Sequence, residues 1–192
     1  MERNPKIDGR RRRSEQSRDR IIAAIMALVQ ESGRPPGAEE VATRAQVGLR
    51  SVFRHFKDME SLFAEMTIRV TARYQDALGP MTATDWRGRV HEGLDRRLAI
   101  FEQLLPFRRA ADAYRQYSAV IQDYHERLLA MLRSRLEANV AEAFRADTIS
   151  LEALDMALSF ETYQRLRVDQ RLDHQQAGAV MRHLVERIIG RD

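Results

Sequence analysis

The sequence predicts an all-α protein in two parts: an N-terminal three-helix domain containing a helix-turn-helix, and a C-terminal helical domain. Three observations carry this. Apolar residues recur at three- and four-residue spacing along nearly the whole of the 192-residue chain. The nine glycines and five prolines punctuate that series and leave few strand signals between them. Two neighbouring helical segments, within 38–56, are short and are separated by the turn-length interruption Gln46-Val47-Gly48.

The elements follow in order. Ile21, Ile22, Ile25, Met26, Leu28 and Val29 make a wide apolar stripe that Ser32-Gly33 ends. Gly37 precedes the first short helix, whose Glu39 and Glu40 suit the positive end of its dipole. Val41, Ala45, Val47 and Val52 are positioned to face one another across the bend, and Ala42 is small where two helix backbones approach. Gly48 serves as N-cap of the second helix. Gln46 is off-pattern: that turn position takes a left-handed conformation, which costs a non-glycine residue about 1–2 kcal/mol. Phe56 to Leu62 then breaks the helix and restarts one, with Asp58 as its N-cap. In a helix-turn-helix the second helix enters the DNA major groove while the first braces it across the backbone.

The block IIAAIMALVQESG followed by EEVATRAQVGLRSVFRHFKDMESLF, roughly residues 17–66, resembles the N-terminal domain of the TetR family of transcriptional regulators. The resemblance implies a recognition helix from Leu49 to Phe56, entered at Gly48. It places at Ser51 a hydroxyl that bonds phosphate. Phe53 stands where a tyrosine is more usual and retains only a packing role, and Met59 stands where the family often has a lysine. Arg50 and Arg54, four apart on one face, are the expected readers of guanine O6 and N7. His55 is expected to be packed or near phosphate, and Lys57 to meet phosphate.

Charge divides along the same line. Residues 1–70 hold 14 Lys+Arg against 10 Asp+Glu, whereas residues 71–192 hold 18 of each, so the whole net charge of +4 lies with the N-terminal part. Arg10, Arg11, Arg12 and Arg13 read as a basic arm (residues 1–16) ahead of the first helix, able to enter a minor groove or neutralise phosphates. The cations are almost all arginine, which a GC-rich genome would also produce. With no cysteine there is no disulfide framework, thiolate metal site or thiol nucleophile. No leader and no apolar run near 18 residues is present, so a cytoplasmic protein with no membrane partner is expected.

The C-terminal domain, residues 67–192, reads as successive helices. Ser61 to Ala77 forms a linker ended by Gly79-Pro80. Asp85 to Leu105 carries Trp86, Val90, Leu94, Leu98, Phe101 and Leu105 on one face, with Pro106 closing it. A short segment, Phe107 to Ala113, precedes a long helix from about Tyr114 to Phe144. From Leu151 the pattern is apolar on two faces, Leu151, Leu154 and Leu158 on one and Met156, Phe160 and Tyr163 on the other, so that helix is buried on two sides. The stretch Leu166 to Leu172 reads as a loop before a last helix from about His174, striped by Ala177, Met181, Leu184 and Ile188.

From the resemblance, the last two helices are expected to form a four-helix homodimer interface through Leu151, Leu154, Leu158, Met181, Leu184 and Ile188. It also implies a small-molecule effector pocket, with Phe101, Leu105, Tyr117, Ile121, Tyr124, His125, Phe160 and Tyr163 as its lining. The expected function is that of a dimeric regulator, a repressor released from a palindromic double-stranded DNA operator by its effector. The rival reading is a helical dimer whose degenerate motif makes protein contacts instead. Catalysis has no support: the five histidines show no metalloprotease spacing, and neither a nucleophile elbow nor a phosphate-binding glycine loop occurs, so no cofactor or metal is expected.

Overall fold

The computed structural model describes residues 5–73 and 79–190. Among them are ten α-helices, one π-helical turn and no strand. The chain divides into two compact units, residues 1–73 with 106–123, and residues 74–105 with 124–192.

In the first unit α1 (Pro5–Ser32) packs against α2 (Ala38–Arg44), α3 (Leu49–His55) and α4 (Met59–Arg73). Its core is the predicted stripe: Ile21, Ile22, Ile25 and Val29 of α1 are buried with Val41, Val52, Leu62, Phe63 and Met66. Gly33, at φ +62°, ends α1 in the left-handed region that glycine adopts without strain. The basic arm is a correction. Arg10 to Arg13 lie inside α1, because arginine is a good helix former and the segment sustains its own pairing, Arg11 Nε donating to Glu15 Oε1 at 3.0 Å. The side chain of Arg10 lies outside the described residues, as does the predicted linker beyond 73.

The unit is completed by residues 106–123. The stop predicted at Pro106 does not occur: α5 runs Trp86–Arg115 through it. An internal proline costs a helix about 3 kcal/mol. Against that stand the burial of Phe107, a contribution of about 1.5–3 kcal/mol, and that of Ala110 and Ala111. Tyr114 of the same segment stacks on Phe63, ring centroids 4.3 Å apart. The long helix likewise begins later than its pattern suggests. Ser118, buried, accepts the Ile121 N–H on Oγ at 3.2 Å and caps α6 (Ala119–Asn139), which ends before the short α7 (Glu142–Ala146).

The second unit buries Val90, Leu94, Leu98 and Phe101 of α5 against Leu136 of α6 and against the last elements of the chain. Those elements are α8 (Thr148–Ala157), α9 (Phe160–Gln164), a π-helical turn (Arg165–Asp169) and α10 (His174–Ile189). Caps explain the segmentation. Asp147 accepts from Ser150 N–H, Ser159 from Thr162 N–H, and Asp173 from Gln176 N–H. Ser159 therefore splits the single helix expected from Leu151, and the loop expected at Leu166 to Leu172 is helical as far as Asp169 before Arg171 turns at φ +58°.

Candidate nucleic-acid interface

The helix-turn-helix is built by backbone bonds that the local sequence dictates. At the end of α2, Gln46 N–H donates to Thr43 O at 3.1 Å and Val47 N–H to Ala42 O at 3.0 Å. That pair of bonds is a Schellman closure, and it requires a left-handed residue between them. Gln46 supplies it at φ +54°. Gly48, extended, then leads into α3, and Ser51 N–H donates to Gly48 O at 2.7 Å. Val52 and Phe56 are buried and seat α3 on the unit's core. Asp58 caps α4, accepting Ser61 N–H on Oδ1 at 2.8 Å, and this bond holds its carboxyl below the usual aspartate range.

With one face of α3 seated, the other is open. Gly48, Leu49, Arg50, Phe53, Arg54 and Lys57 are all exposed, and Ser51 is half-buried. Leu49 and Phe53, 39% and 46% exposed, are apolar groups on the outer surface of a seven-residue helix, beside Arg50 and Arg54. Phe53 therefore does not take the packing role expected for it: Val52 and Phe56 already fill the space beneath the helix.

Ion pairing separates the cations of this unit into two groups. Arg18 pairs with Glu65, Arg34 with Glu40, Arg44 with Glu31, and Arg69 with both Asp19 and Glu65. The Arg44–Glu31 pair ties α2 to α1, and Arg18–Glu65 and Arg69–Asp19 tie α4 to α1. Glu40, held by Arg34 and by the Gly37 N–H, has its pKa lowered to about 2. Arg50, Arg54 and Lys57, by contrast, have no carboxylate within 4.0 Å among the described residues. Arg11, Arg12 and Arg13 are exposed on α1, Arg11 being paired.

His55 lies on the inner side. Its Nε2 is buried without a protein hydrogen-bond partner among the described residues. Burial, with Arg54 and Arg18 close by, pushes its pKa below the ordinary histidine value. Arg18 also stacks over the Phe56 ring at 5.0 Å. His55 is thus placed as a packed neutral group.

No family model and no curated protein matches the sequence. Solved structures do match. A protein from Rhodococcus sp. assigned to the TetR family of transcriptional regulators superposes with a TM-score of 0.68 at 18% identity, covering 91% of this chain and 99% of its own. A transcriptional regulator from Rhodococcus sp. Rha1 gives 0.68 at 17% identity, covering 90% and 95%. A TetR-like transcriptional regulator from Rhodococcus sp. RHA1 gives 0.56 at 16%, covering 93% and 97%. The chain has the TetR-family fold.

Of the eight residues expected to line a TetR-type effector pocket, three in the second unit are packed against one another. Phe101 meets Phe160 edge to face at 5.3 Å and Tyr163 at 5.3 Å, and all three are buried in the core. Leu105 packs at the edge of that core, and Tyr124 and His125 are half-buried on α6. Ile121 is buried but belongs to the first unit, as does Tyr117, which is 82% exposed where the chain turns before Ser118. Tyr117 is a correction: its heptad-like spacing assumed a helix that has not yet begun. Tyr163 instead anchors a polar cluster, donating its hydroxyl to Glu102 Oε2 at 2.5 Å. Its single proton is then used, so His174 Nδ1, 2.7 Å away, carries the hydrogen of the second bond. Arg167 grips Glu102 with two nitrogens at 2.5 and 2.8 Å and, with Tyr163, lowers the pKa of that carboxyl to about 2.

A cavity of about 40 Å³ lies elsewhere, lined by Met81, Arg89, Val90, Gly93, Arg96, Arg97, Ile100, Arg135, Leu136, Asn139 and Leu158. None of the eight expected pocket residues borders it. Its four arginines come from two distant stretches of the chain and form no motif. One signal was present: Arg97 falls between Leu94 and Phe101, inside an otherwise apolar stripe.

The expected dimer residues also need correction. Leu151, Leu154, Leu158 and Met181 are buried within the protomer's own core, where α8 packs on α10. Ile188 is partly buried against that core, and Leu184 is exposed. The apolar side chains left outside on these helices are Ile149, Met156, Val180 and Leu184. Both faces of the 151–163 pattern were apolar, and its period alone does not say which one meets the chain's own core.

Proposed function

We propose that this protein is a sequence-specific, dimeric transcriptional regulator, a repressor that a small effector releases from a palindromic DNA operator. The division of labour would be an N-terminal arm (1–16), a DNA-binding domain (17–66) and a ligand-binding and dimerisation domain (67–192), acting in the cytoplasm. The observation that carries the reading is the state of the cations. Structural arginines of the first unit are neutralised by carboxylates, whereas Arg50, Arg54 and Lys57 on and beside α3 are left exposed without one. Arg50 and Arg54 suit guanine edges, Ser51 and Lys57 phosphate, and the exposed Leu49 and Phe53 suit thymine methyl groups. Arg11 to Arg13, helical, would add phosphate contacts along α1 in place of a flexible arm.

Dimerisation is supported by the apolar side chains exposed on α8 and α10: Ile149 (84%) and Met156 (67%) on the first, Val180 and Leu184 on the second. One recognition helix covers few base pairs, and a two-fold axis doubles the site into a palindrome. An effector releases DNA only to the extent that it binds the released conformation better than the DNA-bound one.

The test is selection of random duplexes by the purified protein at moderate salt, followed by sequencing. A palindromic consensus, lost when Arg50→Ala is combined with Arg54→Ala, is the expected result. Retention without a consensus, collapsing steeply with salt, would reduce the activity to phosphate binding. No retention would favour a protein-binding role for α3.

A further inference from the structure

The cavity of the second unit has an unusual wall: four of its eleven lining residues are arginines, and none is an acid. Arg96 is neutralised, pairing with Glu92 at 2.5 Å while two of its nitrogens bond Gly79 O and Pro80 O, each at 2.8 Å. The other three are not. Arg89 donates to Asn139 O at 3.3 Å and Thr84 O at 2.7 Å. Arg97 donates to Leu158 O at 3.0 Å and Arg135 to Gly79 O at 3.1 Å. Their acceptors are backbone carbonyls, and among the described residues no carboxylate lies within 4.0 Å of any of them.

A guanidinium carries five N–H donors in a plane. Arg97 and Arg135 each use one on protein. Arg97 is also half-buried, and burial pushes its pKa down; Asp155, beyond 4.0 Å, opposes that fall and Arg135 adds to it. Asp155 is itself bonded to Arg133. Burying a cation without a paired anion is costly, and a bound anion removes that cost. The rest of the wall is apolar: Met81, Val90, Ile100, Leu136 and Leu158. The enclosed 40 Å³ holds about three water-sized groups, enough for a carboxylate and its first carbons. The cavity is open to solvent on one side, which leaves a longer tail free to extend outward.

We infer that this cavity binds a small organic monocarboxylate, its carboxylate held by Arg97 and Arg135 and its hydrocarbon body by Val90, Ile100 and Leu136. This names the chemical class of the effector, and in that respect it rests on the regulatory reading above. The binding itself does not.

The test is calorimetric titration of the full-length protein with acetate, butyrate, hexanoate, benzoate and inorganic phosphate at constant ionic strength. Affinity is expected to rise by up to about fourfold per methylene from acetate to hexanoate, with phosphate weaker than hexanoate. Arg97→Met and Arg135→Met should each weaken hexanoate by about tenfold or more, the worth of a charge-assisted pair. Methionine matches the volume of the stem and removes a buried charge, so both variants should fold, as circular dichroism would verify. Arg50→Ala with Arg54→Ala should leave the titration unchanged. Phosphate binding as tightly as hexanoate, equal affinity for acetate and hexanoate, or binding that survives both methionine variants would overturn the inference. Carboxylate binding without any DNA consensus would instead sink the regulatory reading alone, and a consensus without carboxylate binding would sink only this one.

Discussion

Replacing Gln46 with glycine isolates a single backbone term. Gln46 sits at φ +54° between α2 and α3, exposed, with no side-chain hydrogen bond among the described residues. The left-handed conformation costs a residue with a Cβ about 1–2 kcal/mol, and glycine escapes it. Glycine also loses more chain entropy on folding, which returns roughly 0.5–1 kcal/mol. Gln46→Gly should therefore stabilise the first unit by about 0.5–1 kcal/mol net. For a chain of this size that raises Tm by about 1–4 °C. Gln46→Ala is the control, since it keeps the Cβ and the penalty and should stay within about 0.5 kcal/mol of the parent.

The assay is urea unfolding followed two ways. Far-ultraviolet circular dichroism reports helices of both units, whereas the single tryptophan, Trp86, lies in the second. The gain should appear in the dichroism midpoint and be smaller or absent in Trp86 fluorescence if the units unfold separately. DNA affinity should not change, because the Schellman bonds that place α3 are kept. A Gln46→Gly protein no more stable than Gln46→Ala would refute the argument, because the left-handed residue would then carry no strain.

Four other outcomes are expected. Arg50→Ala and Arg54→Ala should each cost about 1–3 kcal/mol of specific DNA binding, read by fluorescence anisotropy against a scrambled duplex, with non-specific affinity falling much less. Met156→Glu with Leu184→Glu should convert a dimer to a folded monomer of 22.3 kDa in sedimentation, whereas Leu151→Glu should unfold the chain because that side chain lies in the core. His55 has a folded pKa below its unfolded value, so the unfolded chain takes up the proton first. Stability should therefore fall as pH drops through about 6.5, and His55→Gln should flatten that slope in urea titrations at stepped pH. Tyr163→Phe removes a buried hydroxyl bonded to Glu102 and His174 and should cost about 1–2 kcal/mol, measured by Trp86 fluorescence in urea.

What was legible in the sequence was local. Gly37, Gly48 and Asp58 mark helix starts because a cap acts over three or four residues, and the stripe from Ile21 to Val29 finds its core because α2 and α3 follow at once. Some departures are local, such as the caps at Ser118 and Ser159, but others depend on distant partners. Pro106 is a strong local stop, yet Phe107, Ala110 and Ala111 are buried in the first unit and the helix continues. Tyr117 shares a spacing with Ile121 but lies outside the helix, because Ser118 caps α6. Leu151 and Met156 sit on equally apolar faces, and only folding distinguishes the face turned to α10 from the face turned to solvent. Arg89, Arg97 and Arg135 meet only in three dimensions, which no motif encodes.

Identities of 16–18% alongside TM-scores up to 0.68 show how little of this fold depends on particular side chains. The three off-pattern residues of the motif illustrate why. Gln46 departs from glycine, but the two Schellman bonds are backbone bonds and remain at 3.0 and 3.1 Å. Phe53 departs from tyrosine on the exposed side of α3, where the unit's packing is already complete through Val52 and Phe56. Met59 departs from lysine at the first position of α4, whose start is held by the adjacent Asp58 and Ser61. Each departure thus falls where backbone geometry or a neighbour maintains the element. The fold tolerates all three, and on the proposed DNA-binding reading their consequence falls on the exposed side of α3 and the start of α4, where Phe53 and Met59 are apolar in place of the phosphate-directed tyrosine and lysine that the TetR resemblance implies. Binding should accordingly depend less on salt than in a relative carrying both: each phosphate contact removed lowers the slope of log affinity against log salt by about 0.9. A salt titration of the parent against Met59→Lys measures it directly. A steeper slope in the variant supports this account, and an unchanged slope would place Met59 away from the phosphates.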